Sequence, residues 1–196
     1  MRFGDILEAY LPRTDPRAKL SITQGLTVLL KNILLSREPV YGLGEWARHY
    51  VPDLLGLSAK QVDSLNDDRV GRCLDSLFDS DKCSLMLAMV AHTIREFEVV
   101  LDELHNDSTT VTLFGRYDNA EEGARMRGKF TLVAARGHNK DHRPDLKQLL
   151  AILTLSADGG VPVHFKAADG NVTDDQTHRE TWSLLSELRG GPLVRG

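Results

Sequence analysis

Apolar residues recur with a helical period through the first hundred residues of the chain. Ser21-Ile-Thr-Gln24 has the form of a capping box, in which the Ser21 hydroxyl accepts from the Gln24 amide, so a helix is predicted to begin there. Pro39 closes the segment. The apolar positions that this helix is expected to bury on one face are Ile22, Leu26, Leu29, Leu30, Ile33 and Leu34.

Further helices are predicted between short turns, at residues 43–50, 59–65, 68–78 and 82–97. The last of them carries a stripe of apolar residues, which are Leu87, Val90, Ile94 and Phe97. Trp46 and Trp182 both fit amphipathic helix faces and are expected to pack in a core. Residues 1–100 are therefore predicted to form an all-helical domain.

After residue 100 the pattern changes to that of β-strands. Residues 103–115 alternate weakly and are rich in β-branched side chains, and residues 148–157 are a nearly continuous apolar run of strand length. Asp158-Gly159-Gly160 predicts a tight hairpin turn into a strand at 161–168, because glycine readily adopts the positive φ of such turns. The two strands joined by this turn are expected to pair antiparallel.

A helix is expected after the last strand. Asp169-Gly-Asn171 ends the hairpin, and Thr173-Asp-Asp-Gln176 forms a second capping box with two acids in the first turn. Asp174 and Asp175 are interpreted as capping residues of this helix and not as metal ligands. The predicted fold class is α+β, with three antiparallel strands and a helix after the helical domain.

The amino-acid composition excludes some classes of protein. The 196 residues are 41% hydrophobic and 27% charged, as in an ordinary globular chain of one or two domains. A formal net charge of -4 argues against a protein that coats nucleic acid with a uniformly basic face. Cys73 and Cys83 lack metal-ligand spacing and are expected to be buried thiols in a reducing cytoplasm. No apolar run is long enough to predict a membrane span.

The strongest charge anomaly lies between the first two long strands. Residues 125–147 hold seven Lys or Arg against Asp141 and Asp145, a net of +5 that leaves -9 for the rest of the chain. A local basic insert can be a footprint for a phosphate backbone or a solvated loop, and both interpretations stay open. The seven cations are Arg125, Arg127, Lys129, Arg136, Lys140, Arg143 and Lys147.

Asp107 is the acid that most needs an explanation. It lies in the middle of a predicted strand rich in Thr, Val and Leu. A carboxylate there costs free energy unless it is ionised at a cleft or held by a cation. His138, Asn139 and His142 superficially suggest a His-Asn-His nuclease motif, but the other metal ligands of such a site are not found in the sequence.

Three ordered blocks resemble the signature blocks of bacterial insertion-sequence DDE transposases. They are His105-Asn-Asp107-Ser-Thr-Thr110, Gly137-His-Asn-Lys-Asp-His-Arg-Pro-Asp-Leu-Lys-Gln148 and Asp169-Gly-Asn-Val-Thr-Asp174. The helical half resembles the domain of unknown function that precedes their catalytic core, including Ser36-Arg-Glu-Pro-Val-Tyr41 and Leu65-Asn-Asp-Asp-Arg-Val-Gly71. The resemblance implies a partial ribonuclease H-like core at 101–196, with a basic insert at 116–147.

The resemblance also implies metal-dependent DNA cleavage and strand transfer, in which three acids hold two Mg²⁺ or Mn²⁺ ions. Asp107 matches the first acid, as both catalytic residue and metal ligand. The other two acids would follow the helix that begins at Thr173, and the residues from Arg189 onward contain none. We therefore expect a C-terminally truncated transposase that is inactive alone and does not bind these metals stably.

The expected partner is DNA carrying the terminal inverted repeats of the mobile element, in the cytoplasm at the nucleoid. Lys140, Arg143 and Lys147 are the candidate phosphate contacts. The alternative function is a non-catalytic module that binds DNA, or self-associates as a homo-oligomer, and competes with the full-length transposase.

Overall fold

The computed structural model describes residues 3–117, 122–137, 143–172 and 182–183. The chain divides into two compact units, Met1–Met89 and Val90–Gly196. The division falls inside a helix that runs over Lys82–Glu96, whereas the sequence places the domain boundary just after that helix. The predicted helix at Thr173 lies outside the described residues.

Helices make up the first unit, with the seventh crossing into the second. The sequence predicts α2, α3, α5, α6 and α7, and these are confirmed; α1 and α4 were not predicted. α4 is a single turn that has Pro52 at its start and ends at the left-handed Gly56 (φ 75°). The helices are α1 (Phe3–Tyr10), α2 (Ile22–Leu35), α3 (Leu43–Ala47), α4 (Pro52–Leu55), α5 (Ala59–Asp63), α6 (Asp67–Asp79) and α7 (Lys82–Glu96), with a 3₁₀ turn at Val40–Gly42.

Two capping boxes fix the starts of α2 and α5. The Ser21 hydroxyl accepts from the Gln24 amide at 3.1 Å, and Gln24 Oε1 accepts from the Ser21 amide at 3.1 Å, which confirms the predicted cap. At α5 the Ser58 amide donates to Gln61 Oε1 at 2.9 Å. The glutamines of the two boxes also contact each other, because Gln61 Nε2 donates to Gln24 Oε1 at 2.9 Å.

The face that α2 buries differs from the predicted one. Its buried residues are Gly25, Leu26, Val28 and Asn32. Leu30, Ile33 and Leu34 are exposed, so the prediction is wrong for these three. The reason is the close packing of α2 on α6: a Cβ at Gly25 would lie 2.5 Å from the Sγ of Cys73, so this side of α2 faces α6. The apolar stripe of α2 is wider than the surface that its neighbours cover.

Two clusters of buried side chains form the cores of the first unit. Trp46 is buried as predicted, and its indole Nε1 donates to the Ser36 hydroxyl at 2.8 Å. One cluster contains Leu20, Val28, Leu43, Trp46, Ala47, Leu55, Leu57, Val62, Leu65 and Val70. The other contains Leu7, Leu11, Leu26, Cys73 and Leu85.

Several other burial predictions are wrong. Cys83 is exposed, whereas Cys73 is buried and its burial raises the pKa of its thiol. On α7, Leu87 and Phe97 from the predicted apolar stripe are exposed. Trp182 is 74% exposed. Apolar periodicity identifies a helix, but which face becomes covered is decided by distant parts of the chain.

The second unit contains a three-stranded antiparallel sheet, with the strand order β1-β4-β5. The strands are β1 (Leu104–Leu113), β4 (Lys147–Ser156) and β5 (Pro162–Asp169), and the insert between β1 and β4 adds a short hairpin of β2 (Arg125–Met126) and β3 (Lys129–Phe130). The three long strands and the α+β class are confirmed; the hairpin in the insert was not predicted. Gly159 (φ 72°) and Gly160 (φ 63°) both adopt the positive φ expected for the β4–β5 turn.

The two faces of the sheet differ in burial. Ser108, Ile152 and Thr154 are buried on one face, where Leu150, Ile152 and Ala168 form a small core. Asp107, Leu153 and Phe165 follow one another across the strands on the opposite face, and all three are exposed. The register therefore positions Asp107 in the centre of β1 on the solvent-facing side of the sheet.

Candidate functional site

Asp107 is accessible on the exposed face of β1. Its Oδ1 accepts a hydrogen bond from the Ser108 amide at 2.9 Å. Because water reaches this face, an ionised carboxylate costs little free energy there. Of the two alternatives that the sequence leaves open for this carboxylate, ionisation in contact with solvent is thus sufficient, and the strand position by itself does not require a cation.

The carboxylates described near Asp107 do not fit a two-metal site. Among residues 3–117, 122–137, 143–172 and 182–183, no group of three or more His, Cys, Asp or Glu side chains is arranged to hold a metal ion. His105 Nε2 on β1 lies 3.8 Å from the Oε1 of Glu103, the residue before the strand, so these two titratable groups contact each other. Asp174 and Asp175 lie outside the described residues. No metal-dependent step follows from this donor set.

Arg143 is held in an ion pair. Its Nε and Nη2 donate to the two carboxylate oxygens of Asp145 at 2.8 and 2.7 Å. The hydrogen bonds from Arg143 lower the pKa of Asp145 to about 2, and the carboxylate raises the pKa of Arg143. Lys140, His138 and His142 lie outside the described residues. Of the three predicted phosphate contacts, Arg143 is thus already bound to a carboxylate.

Lys147 begins β4 and lies far from Asp107. Its Nζ donates to the Tyr117 carbonyl at 3.1 Å. Lys147 is opposite Leu113, at the end of β1, and Asp107 precedes Leu113 by six residues. At about 3.3 Å per residue this separation is about 20 Å along the strand. Asp107, in the centre of β1, and Lys147, at the start of β4, thus lie on the same face of the sheet but well apart along the strand direction.

An open cleft lies at the Lys147 end of the sheet. It has a volume of about 450 Å³ and is lined by Gly115, Arg116, Arg136, Asp145, Leu146 and Lys147. Sequence reasoning did not select Arg116 or Arg136 as site residues. Arg136 was only one of the insert cations, and Arg116 lies before the basic run. No sequence signal brings the two together, because their approach depends on how the insert returns to the sheet.

Hydrogen bonds anchor the returning insert. The Gln148 amide donates to the Ala135 carbonyl at 2.8 Å, and the Gly170 amide donates to the Val133 carbonyl at 3.0 Å. The Val133 amide in turn donates to Asp169 Oδ1 at 2.8 Å. Arg136 is therefore attached to the ends of β4 and β5 through the backbone on its N-terminal side.

The hairpin within the insert is also ordered by one of its cations. The Arg125 guanidinium lies 3.8 Å from the centre of the Phe130 ring and donates to the Gly128 carbonyl at 2.9 Å. Arg127 (φ 51°) and Gly128 (φ 81°) form the turn. A cation over an aromatic ring stabilises the pair by about 0.5–1 kcal/mol at an exposed site. The basic insert is more than a run of solvated charges.

Comparison with known proteins finds a match for the first unit. Residues 1–92 match the sequence model described as Domain of unknown function (DUF4277). The match spans the helical unit and shows that this half of the chain contains a domain of unknown function. No curated protein and no solved structure matches the chain. Within the residues that the structure describes, no helix has the length and apolar character needed to cross a membrane.

Proposed function

We propose that this chain is a catalytically incomplete insertion-sequence transposase, which binds the terminal inverted repeats of its element but does not cut DNA by itself. The observation that carries the proposal is the position of Asp107. It is an accessible carboxylate in the centre of β1, the first strand of a three-stranded antiparallel sheet. The first catalytic acid of a DDE enzyme is expected on the first strand of its ribonuclease H-like core.

The chain order of the elements supports the same proposal. β1 is followed by an insert, by the β4–β5 hairpin and by the Asp169-Gly-Asn block. These elements come in the order expected for the start of a ribonuclease H-like domain. The helical unit that precedes them coincides with the residues that match a domain of unknown function.

The proposed inactivity rests on the described part of the chain, in which no group of three or more His, Cys, Asp or Glu side chains is arranged to hold a metal ion. In-line displacement with two metal ions needs carboxylates that hold the ions about 3.5–4 Å apart. Asp107 alone cannot hold two ions at that distance, so this polypeptide is expected neither to bind Mg²⁺ or Mn²⁺ stably nor to nick DNA.

A second candidate function is self-association of the helical unit. Leu34, Tyr41 and Leu54 are 83%, 81% and 68% exposed, so the helical unit presents large apolar side chains that a second copy could cover. A module that self-associates through them would compete with a full-length transposase by forming mixed oligomers. Sedimentation of the chain at several concentrations distinguishes this function from DNA binding.

A gel-shift titration with inverted-repeat DNA, and with scrambled DNA as a control, tests the first proposal. We expect binding that weakens as salt increases, because basic residues release counterions from the phosphates. Addition of Mg²⁺ or Mn²⁺ should yield no nicked product. The Asp107→Ala variant should bind as the wild type does.

Two outcomes would contradict the proposal. Equal binding to both DNAs, or no binding at low salt, would remove the role in recognising inverted repeats. Nicking by the wild type that is lost in Asp107→Ala would show that the polypeptide is catalytically complete.

A further inference from the structure

We propose that the cleft at the start of β4 is a phosphate-binding site formed by Arg116, Arg136 and Lys147. The ligand chemistry is a phosphate group. If the proposed function holds, this phosphate belongs to the DNA backbone. That assignment of the phosphate to DNA rests on the proposed function.

Three separate segments bring their cations to this cleft. Arg116 follows β1, Arg136 belongs to the returning insert, and Lys147 is the first residue of β4. The Lys147 Nζ holds the loop after β1 through the Tyr117 carbonyl, and the Ala135–Gln148 bridge holds the insert. The convergence is thus set by specific hydrogen bonds and not by random surface placement.

The charge balance of the cleft favours an anion. Three cations face one carboxylate, Asp145, and both oxygens of that carboxylate accept from Arg143. Among residues that the structure describes, neither Arg116 nor Arg136 forms an ion pair. Arg136 lies close enough to Asp145 to contribute to the lowered pKa of that carboxyl. Guanidinium groups such as those of Arg116 and Arg136 match phosphate oxygens well, because their planar donors can bind two oxygens at once.

The loop that carries Arg116 has an unusual backbone. Tyr117 adopts φ 46°, a left-handed conformation that is unfavourable for a residue with a side chain. Gly115 has φ 148°, and a Cβ at this position would lie 2.9 Å from the Tyr117 ring. Strained backbone positions of this kind concentrate at binding and catalytic sites, where surrounding contacts hold them.

The shape of the cleft fits a phosphate that belongs to a longer chain. A volume of about 450 Å³ exceeds the size of one phosphate group, and the cleft is open to solvent. Its lining is dominated by charged side chains, unlike the mostly apolar pockets that enclose small organic ligands. An open cationic cleft lets a nucleic-acid strand pass through while one phosphate is bound.

Two titrations of the full-length chain test the site. The first adds inorganic phosphate and follows the backbone amide signals of residues 115–117 and 145–147 by NMR. The second adds inverted-repeat DNA at several salt concentrations. The variants are Arg116→Ala, Arg136→Ala and their combination, and the control is Arg72→Ala, which removes an exposed cation from α6 in the other unit.

We expect saturable phosphate shifts in the wild type and in Arg72→Ala, and their loss in the double variant. For DNA, each lost phosphate contact should reduce the slope of log affinity against log salt by about 1. Circular dichroism checks that the variants fold. If the alanine variants unfold, Arg116→Gln and Arg136→Gln remove the charge while retaining longer side chains.

The outcomes separate this inference from the proposed function. Absence of phosphate shifts in the wild type, or shifts that persist in the double variant, would contradict phosphate binding at the cleft by Arg116 and Arg136. DNA binding with an unchanged salt slope in the double variant would also overturn it, while the proposed function stands. Phosphate binding at the cleft without any DNA binding would support an anion site for a free phosphate and remove the proposed function.

Discussion

Gln61 donates a side-chain hydrogen bond to Gln24 at 2.9 Å, which joins the capping boxes of α5 and α2. Each glutamine also accepts from the backbone amide at the start of its own helix, Ser58 or Ser21. The two helix starts therefore share one hydrogen-bond network, and we expect them to be coupled energetically.

A double-mutant cycle of Gln24→Ala and Gln61→Ala measures this coupling. Each single change should lower the free energy of unfolding by about 1 kcal/mol, because a capping interaction is lost. The double change should cost less than the sum by about 0.5 kcal/mol or more, as for residues in contact. Urea denaturation gives the values. Strict additivity would show that the two caps act independently; Lys60→Ala in α5 is the control for helix propensity.

Asn32→Leu is expected to stabilise the helical unit. Asn32 is 1% exposed, and neither polar atom of its side chain has a hydrogen-bond partner among the residues that the structure describes. A buried unpaired amide costs about 1–3 kcal/mol, and leucine has a similar size without polar atoms. Thermal unfolding of the variant should therefore occur at a higher temperature. A lower unfolding temperature would indicate that the amide contributes to stability.

Asn66→Ala serves as the comparison for Asn32→Leu, because it is expected to destabilise the helical unit where Asn32→Leu stabilises it. Asn66 Oδ1 accepts from the Arg69 amide at 3.0 Å and caps α6. Its loss should destabilise the unit by about 1 kcal/mol. The two variants thus compare the stability effect of an asparagine that is buried without a partner with that of an asparagine that caps a helix.

Gly170→Ala should destabilise the sheet of the second unit severely. An added Cβ would overlap the Gln148 carbonyl oxygen and lie 2.7 Å from the carbonyl oxygen of Ala135. These are backbone atoms that hold the insert against β4, so they cannot move aside cheaply. We expect a loss of about 2 kcal/mol or more, measured by urea denaturation. Gly71→Ala in α6 is the control, since its Cβ would meet nothing within 4 Å and alanine favours helix by about 1 kcal/mol.

The stability of the second unit should fall as the pH decreases through the titration of His164. Burial, followed by the charge of Lys166, lowers the pKa of His164 below its ordinary value of 6.5. Its Nδ1 is buried and has no hydrogen-bond partner within the described part of the chain. Because the unfolded chain takes up the proton first, stability is full above pH 6.5 and is lost as the pH falls towards the folded pKa.

Urea midpoints at several values between about pH 5 and pH 8, where histidine titrates, measure this effect. His164→Gln should flatten the dependence, because glutamine does not titrate. An equal slope in the wild type and the variant would assign the pH dependence to other histidines.

Local signals made much of the fold predictable. The Ser21 capping box and the two glycines after Asp158 specify conformations within a few residues, so both were correctly predicted. The exposure of Leu34 and Trp182 was not predicted, because the covering of a helix face depends on residues far away in sequence. For the same reason the sequence did not distinguish Arg136 from the other six cations of residues 125–147. Its position in the cleft depends on how the insert returns to the sheet.

β4 is the central strand, yet its two neighbours reach it by different routes. β5 follows after a tight turn, whereas β1 is separated from β4 by residues 114–146. The nearby hairpin should form early during folding, and β1 should join after the slower closure of the long segment. Since doubling a loop costs only about 0.6 kcal/mol, the part of this segment before Val133 is where evolution can insert or exchange sequence while the sheet still assembles.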